Sequence, residues 1–261
     1  MKVASWNVNS VRSRLEHVTN WLQQNPVDVL CLQETKVVDA DFPRTELAAL
    51  GYHIYIYGQK SYNGVALLSQ KPLEQVTTGF ASILADIEPE WDEQKRIITG
   101  VIDGVRILNL YVPNGSEVDS EKYKYKLGWL KLLQKYLQTL LSTTPNICMC
   151  GDFNIALEDK DIYEKVSSIK NHIMSSDAER QALKELLELG FADAFRKFTE
   201  EGGHFSWWDY RTMGFSRNRG WRIDHHYLTS ELYKKAVSCV IDIEPRKLVK
   251  PSDHTPVIVE F

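Results

Sequence analysis

Apolar and polar positions fall into blocks along this chain that predict a succession of α and β elements. Val3–Trp6 reads as a short strand ending at Asn7. Over residues 11–24, Val11, Leu15, Val18 and Leu22 recur at helical spacing, and Pro26 stops that helix. Val27–Leu32 is a continuous apolar run, the pattern of a strand buried on both faces. Strand, helix and buried strand in that order make a β-α-β start. Strand-like runs without long helices follow at Tyr52–Tyr57, Gly64–Leu68, Arg96–Ile102 and Val105–Tyr111. The last two are joined by Asp103-Gly104, a hairpin signal. Residues 120–141 carry Leu127, Leu130, Leu133, Leu137, Leu140 and Leu141 on one amphipathic helix. Asn146–Cys150 is another buried strand, and Ala178–Leu189 a helix closed by Gly190. Trp221–Leu228, Val237–Ile243 and Thr255–Phe261 finish the chain as strands. No repeat, low-complexity tract or long linker intervenes, so residues 1–261 read as one domain. Meandering strands with few helices fit a mixed sheet or a two-sheet sandwich with helices outside. A parallel dinucleotide-binding sheet fits poorly, because no Gly-x-Gly-x-x-Gly follows the first strand.

Composition narrows the class. Of 261 residues, 43% are hydrophobic and 25% charged, and the net charge is only −4, so bulk disorder is excluded. No run approaches the roughly 20 apolar residues of a membrane span. Residues 1–10 lack the apolar stretch of a secretion signal, so a cytoplasmic protein without a membrane role is expected. Three of the four cysteines, Cys31, Cys148 and Cys150, sit in apolar runs. Buried free thiols and a reducing compartment are expected of them and Cys239. The Cys148-x-Cys150 spacing puts both side chains on one strand face rather than in a zinc site. The acidic balance argues against coating nucleic acid by bulk charge. It leaves room for a nucleic-acid enzyme, because carboxylates gathered around a divalent cation lower the net charge.

Candidate chemistry lies at the ends of the apolar strands. Asn7 ends the first, Glu34 follows the second, Tyr111 and Asn114 follow Ile107–Leu110, and Asp152 and Asn154 follow Asn146–Cys150. Neighbouring strands pointing one way would bring these groups to a common rim. Asp253 and His254 precede the final strand and reach the same rim if it runs antiparallel. Glu34, Asp152 and Asp253 are hard oxygen ligands or bases. Asn7, Asn154, Tyr111 and His254 can orient or neutralise phosphoryl oxygens. The set suits Mg²⁺-assisted phosphate chemistry. Singly, each residue also reads as an ordinary turn or cap, and Asp224 as a partner for Arg222.

A second constellation is aromatic and basic. Phe205, Trp207, Trp208, Tyr210, Phe215, Trp221 and Tyr227 fall within 23 residues, interleaved with Arg211, Arg217, Arg219 and Arg222. Such faces and guanidinium groups can hold unstacked nucleotides against a phosphate backbone. Part of the set, Phe205 in particular, is expected to be core. Thr212–Gly220 is poor in apolar residues and reads as an exposed loop whose arginines are available to a partner.

Seven segments then carry a resemblance: SWNVNSVR (5–12), LCLQETK (30–36), GVALLS (64–69), NLYVPNG (109–115), GDFNIA (151–156), NRGWRIDH (218–225) and SDHTPV (252–257). In these the chain resembles the exonuclease III family of apurinic/apyrimidinic endonucleases, within the endonuclease/exonuclease/phosphatase superfamily. The segments run in family order across essentially the whole sequence. The resemblance implies an α/β fold, a four-layer α/β sandwich of two packed mixed β-sheets flanked by helices, with its active site at one rim. It implies Mg²⁺, with Mn²⁺ as a substitute, bound by Glu34 with Asn7 and Asp253 close by. It places Asp152 near the attacking water with Asn154 orienting it. It pairs His254 with Asp224 against the scissile phosphate and makes Tyr111 a phosphate or leaving-group contact. Trp207, Trp221 and Ile223 match the family's pocket for a flipped abasic sugar, and Arg211 and Arg217 lie where DNA is held.

The activity so implied is a DNA repair nuclease that cuts 5′ to abasic sites and processes 3′ ends of duplex DNA, as a monomer. The other readings are a superfamily phosphatase acting on phosphoinositides or sphingolipids, and a catalytically silent DNA-binding module. The aromatic and arginine stretch favours DNA over lipid, and the filled catalytic positions favour an enzyme. Three positions depart from some family members: Asn9 stands for Asp, Glu117 lies near an arginine that inserts into DNA, and Arg211 replaces an apolar wedge. His225-His226 reads as two partly exposed strand residues.

Overall fold

The computed structural model describes residues 1–163 and 171–261. Twelve strands among these residues form two six-stranded sheets. The first is built from β1 (Lys2–Asn7), β2 (Val29–Gln33), β3 (His53–Tyr57), β4 (Val65–Ser69), β11 (Ser238–Ile241) and β12 (Val257–Glu260), in the order β11-β12-β1-β2-β4-β3. The second contains β5 (Glu74–Thr78), β6 (Ile97–Ile102), β7 (Val105–Tyr111), β8 (Ile147–Asp152), β9 (Phe191–Asp193) and β10 (Asp224–Thr229), in the order β5-β6-β7-β8-β10-β9. Each sheet has one parallel pair at its centre, β1–β2 and β7–β8, and antiparallel neighbours on either side. The two sheets therefore repeat one pattern of strand directions, although the antiparallel pair beside the central one comes last in the chain order of the first (β11–β12) and first in that of the second (β5–β6).

The five α-helices among the described residues are α1 (Leu15–Gln24), α2 (Arg44–Ala48), α3 (Glu121–Leu141), α4 (Asp177–Leu187) and α5 (Ser230–Lys235). Val18, Trp21 and Leu22 of α1 pack with Leu47 of α2 on Ala4, Trp6, Leu30 and Leu32, the outer face of the first sheet. Trp129, Leu130, Leu133 and Leu137 of α3 and Leu183 and Leu186 of α4 cover the outer face of the second, on Leu108, Leu110, Ile147 and Met149. The inner faces meet through Val3, Val29, Cys31, Val65, Ile98, Ile107, Cys148, Cys150, Leu228 and Val259. This is the four-layer sandwich, and period-two alternation along each strand separates its two contact surfaces. All four cysteines are buried thiols, and Cys148 and Cys150 share the inner face as expected.

Several boundaries differ from the sequence pattern for identifiable reasons. The first helix starts at Leu15 rather than residue 11, because the Ser10 and Val11 N–H groups bond to the Glu34 and Thr35 carbonyls. The strand expected from Trp221 starts at Asp224: Trp221 pairs instead with Trp207 and Ile162, and the Arg222 N–H bonds to the Asp161 carbonyl. The short elements α2, β5, β9 and α5 have no periodic signal long enough to read. The Asp103-Gly104 turn holds φ of +48° and +75°, as a tight hairpin between Ile102 and Val105 requires.

Two features fix the strand ends where polar residues gather. Gly151 faces Leu110 across the parallel β7–β8 pair at φ +141°, and a Cβ there would lie 1.9 Å from the Leu110 carbonyl oxygen. Only glycine lets the strands approach this closely immediately before Asp152. Between the sheets, the Asn109 amide donates to the Leu32 and Ala66 carbonyls and accepts from Gln33 Nε2 at 2.7 Å. This buried polar bridge fixes the register of one sheet on the other directly below the rim.

Candidate active site

β1, β2, β7 and β8 end at one edge of the sandwich, and β10 and β12, antiparallel to their neighbours, begin there. The condition set for Asp253 and His254 is thereby met. Asn7, Glu34, Tyr111, Asp152, Asn154, Asp224 and His254 converge at that edge. Asn7 Nδ2 donates to Glu34 Oε1 and to Asp152 Oδ2, each at 2.9 Å, and so bridges carboxylates of different sheets. Its Oδ1 accepts the Asn9 N–H, which fixes which end of the amide faces the carboxylates. Tyr111 donates its hydroxyl to Glu34 Oε1 at 2.9 Å, and Lys36 Nζ lies 2.8 Å from Glu34 Oε2. Glu34 and Asn154 both hold φ of +50°, a conformation asparagine adopts readily but that strains a glutamate. Neighbouring backbone bonds impose this shape on Glu34, since its carbonyl accepts from Ser10 while Thr35 and Lys36 donate to Gly64 and Asn63.

Asp152 is fully buried. Its Oδ1 accepts the Asn154 N–H at 2.9 Å, and Asn114 Nδ2 donates to Asn154 Oδ1 at 2.9 Å. His254 Nδ1 lies 2.8 Å from Asp224 Oδ2, and its Nε2 faces Asp152 Oδ2 at 3.7 Å. Ser206 donates to Asp224 Oδ2 at 2.6 Å and accepts the Ile223 and Asp224 N–H groups. Ser252 donates to the Asn7 carbonyl and accepts the His254 N–H, joining the first strand to the last. Ser206 carried no signal in the sequence, because it is recognised only by what it touches, whereas Ser252 opens the SDHTPV segment.

Electrostatics follow from this crowding. Burial, together with the negative Asp224 and Glu34, pushes the Asp152 carboxyl up to about 7, against the pull of His254 and the Asn7 amide. Burial works to deprotonate His254, but Asp224 and Asp152 outweigh it and raise the imidazole to about 10. Burial would raise Glu34 as well; Lys36, Asn7 and His254 hold it below the ordinary glutamate value. Burial and the Glu34 charge drive Tyr111 well above the usual phenol range, so it remains a donor. Arg96, whose guanidinium lies 4.5 Å from the Tyr111 ring centroid, supports it from behind.

A metal ion would find hard oxygens here. Glu34 and Asp152 offer carboxylate oxygens within 4.8 Å of one another, and His254 lies in the same group as a cation rather than a free ligand. Burial raises the Asp152 carboxyl first and the nearby Asp224 and Glu34 charges add to it, and a cation beside the two carboxylates would oppose both effects. The residues therefore fit a divalent ion. Asp253 stands beside this group with Oδ1 accepting from Asn9 Nδ2 and Oδ2 from Trp207 Nε1, both at 3.0 Å.

The family model for endonucleases, exonucleases and phosphatases matches residues 4–254, nearly the whole chain. The chain belongs to the endonuclease/exonuclease/phosphatase family. Exodeoxyribonuclease III of Haemophilus influenzae is 35% identical to it, with 100% of each chain covered. The 3′ phosphatase NExo from Neisseria, solved bound to a product DNA hairpin, superimposes with a TM-score of 0.95 at 38% identity, covering 100% of this chain and 99% of that one. An AP endonuclease from Archaeoglobus fulgidus gives 0.92 at 40% identity over the same shares.

Around the rim of this endonuclease/exonuclease/phosphatase fold, the aromatic and basic stretch divides. Trp207 and Trp221 exchange backbone N–H···O bonds at 2.9 Å, and with Ile223 they join Ala156, Ile162 and Met174 in one apolar cluster beside His254. The three expected pocket residues thus lie together. Trp221 is only 5% exposed and Ile223 1%, and the His172 ring lies on Trp221 with centroids 5.3 Å apart. Arg211 and Arg217 project from two exposed 3₁₀ turns, Tyr210–Thr212 and Phe215–Arg217, as the loop reading anticipated. Arg211 is 88% exposed and paired with Asp209. Glu117 is also exposed.

Three expectations are corrected here. Arg222 is not free for a partner: it is buried, with Nε 2.7 Å from Asp161 and Nη2 2.8 Å from Asp193, and it does not pair with Asp224. His225 and His226 are fully buried rather than partly exposed. Their strand lies inside its sheet between β8 and β9, where neither face meets solvent. Trp208 and Phe215 pack with Tyr210 around the Arg246 guanidinium, 5.0–5.7 Å from the three rings, and so fasten the loop to the chain before Ser252. Phe205 is buried against Trp208, as expected.

Proposed function

We propose that this protein is a Mg²⁺-dependent DNA repair nuclease that hydrolyses the phosphodiester 5′ to abasic sites and releases nucleotides or blocking groups from 3′ ends of duplex DNA. The observation that carries the reading is Asp152, a buried carboxyl raised to about 7 between the Asn7–Glu34 bridge and His254. A base with a pKa near the working pH is suited to taking a proton from water. The names of the relatives, a DNA exonuclease, a 3′ phosphatase on DNA and an AP endonuclease, support DNA as the substrate over lipid.

In the proposed mechanism, Glu34 would hold Mg²⁺, with Asn7 and Asp253 adjoining, and Mn²⁺ could substitute. When bound, the ion supplies charge stabilisation at the phosphoryl oxygens. Asp152 Oδ2 accepts the proton of the attacking water, whose oxygen forms the new bond to phosphorus as the bond to the 3′-oxygen breaks. The products are a 5′-phosphate and a 3′-hydroxyl. Asn154, anchored by Asn114 and its bond to Asp152, orients the water. His254, kept cationic by Asp224, donates from Nε2 to a phosphoryl oxygen, and Tyr111 donates to the phosphate or leaving group. Arg217 and Arg211 hold flanking DNA, and Trp207, Trp221 and Ile223 receive the sugar. The chain acts as a single domain, as a monomer and in the cytoplasm; no helix among the described residues is long and apolar enough to cross a membrane.

The test is cleavage of an abasic duplex, a 3′-phosphoryl duplex and phosphoinositide or sphingolipid substrates, each with and without Mg²⁺. Mg²⁺-dependent turnover of DNA alone is expected; turnover of lipid alone would replace this reading with the phosphatase one. DNA binding without turnover would leave the silent module. A second reading, preference for 3′ ends over internal abasic sites, is favoured by the Neisseria relative, a 3′ phosphatase. The ratio of 3′-phosphate release to abasic incision decides it.

A further inference from the structure

Beneath Asn154 lies a buried ion pair. Lys126 on α3 and Glu179 on α4 are both fully buried, and Lys126 Nζ donates to Glu179 Oε1. The same ammonium donates to the main-chain carbonyls of Asn154 at 2.8 Å and Asn114 at 3.2 Å. The side chains of these two asparagines bond to each other, and Asn154 in turn holds Asp152 through its N–H. Asn154 holds a left-handed backbone that asparagine tolerates, and the Lys126 ammonium pins its carbonyl in that conformation. Glu179 extends the network the other way. Its Oε1 accepts the Met174 N–H and its Oε2 the N–H and hydroxyl of Ser176. Met174 belongs to the apolar cluster of Trp221 and Ile223.

A buried ammonium–carboxylate pair is a poor source of stability, since an apolar pair of similar volume often serves as well. An apolar pair cannot supply three donors aimed at fixed carbonyl and carboxylate oxygens. We propose that Lys126 is a positioning residue for phosphodiester hydrolysis, setting Asn154 and Asn114 at the rim and, through Glu179, the Met174–Ser176 segment beside the Trp221 cluster. It acts through these residues and does not touch substrate. The inference rests on the nuclease reading of the rim.

The test compares wild type with two double variants, Lys126→Met/Glu179→Leu and Lys126→Met/Glu179→Gln, each of which removes both charges. Lys126→Met alone would strand a buried carboxylate and unfold the chain for reasons unrelated to catalysis. Melting, KM and single-turnover kcat are measured on abasic and 3′-phosphoryl duplexes with Mg²⁺. At least one double variant is expected to melt within a few degrees of wild type, keep KM within about threefold and lose about 10²-fold in kcat, the scale of a ~1 Å misplacement. Native melting with wild-type kcat would overturn the role. Failure of both double variants to fold would also overturn it, making the pair an element of stability. An inactive wild type would instead sink the nuclease reading itself.

Discussion

His254 is held between two carboxylates of the second sheet, with Nδ1 2.8 Å from Asp224 and Nε2 3.7 Å from Asp152. Asp224 fixes the ring so that the Nε2 proton points into the site, and Ser206 fixes Asp224. Asp224→Asn should keep the shape but remove the charge that maintains the imidazolium. Single-turnover cleavage should fall roughly 10²–10³-fold, the size of one lost oxyanion contact. A loss below threefold would mean that His254 donates without help from Asp224.

Asp152→Asn should abolish cleavage and preserve DNA affinity. The change is nearly isosteric but removes the proposed proton acceptor, a contribution of about 10²–10⁴-fold. It also removes one of the negative charges that crowd the rim. Binding and cleavage measured on the same preparation check both halves, and a variant cutting within a few-fold of wild type would assign the proton to another group.

Glu34→Ala should raise the Mg²⁺ concentration at half-maximal rate more than it weakens DNA binding. Mg²⁺ takes few protein carboxylates, so losing one is felt strongly. Rate measured against Mg²⁺ concentration reads this directly, and an unchanged half-saturation point would remove Glu34 from the metal.

Acid should destabilise the fold through the buried Arg222 network. Burial and the adjacent Arg222 charge lower His225 to about 4, below its unfolded value of roughly 6.5. Between those values the unfolded chain binds a proton at His225 that the native chain does not, so the His225 contribution falls as pH drops through that window, opposite in sign to that of the raised Asp152 carboxyl. Asp161 adds a later loss. Burial would raise it, but Arg222 and Arg196 hold it below the ordinary aspartate value. Its contribution is complete above about pH 4 and disappears as pH falls through the depressed value. Urea midpoints from pH 7 to 3 test this. His225→Gln should flatten the upper part of the curve, and an unchanged slope would show that His225 titrates normally.

Arg217→Ala and Trp221→Ala should fail differently. Arg217 lies in an exposed turn, so its loss should weaken binding to every duplex and reduce the salt slope by about 1. Trp221 is buried among Ile162, Met174 and Ile223, so its truncation should cost roughly 3–5 kcal/mol of stability as well as abasic incision. Melting curves beside salt-dependent binding separate the two. Equal melting for both variants would place Trp221 outside the core.

The order of strands, the long helix over residues 120–141 and the polar residues at strand ends were legible from local pattern, because period and position along one chain segment express them. Asn7, Glu34, Tyr111, Asp152, Asn154 and His254 could be chosen for that reason: each follows or precedes an apolar run, and the motifs around them are short and contiguous. Direction and distance were not local. Whether β12 runs antiparallel to β1, and so carries His254 to the rim, depends on pairing between residues 2–5 and 257–260. The partners of Arg222 lie 61 and 29 residues away, at Asp161 and Asp193, and nothing around Arg222 distinguishes it from the exposed arginines of the same stretch. Burial of His225 and His226 follows from the position of β10 inside its sheet, and support of Asn154 by Lys126 follows from packing α3 on β8. The sequence by itself determined which chemical groups stand at the ends of its strands. Only the tertiary structure decided which of them share a charge, a proton or a buried partner, because those energies depend on separations of a few ångströms between residues far apart in the chain.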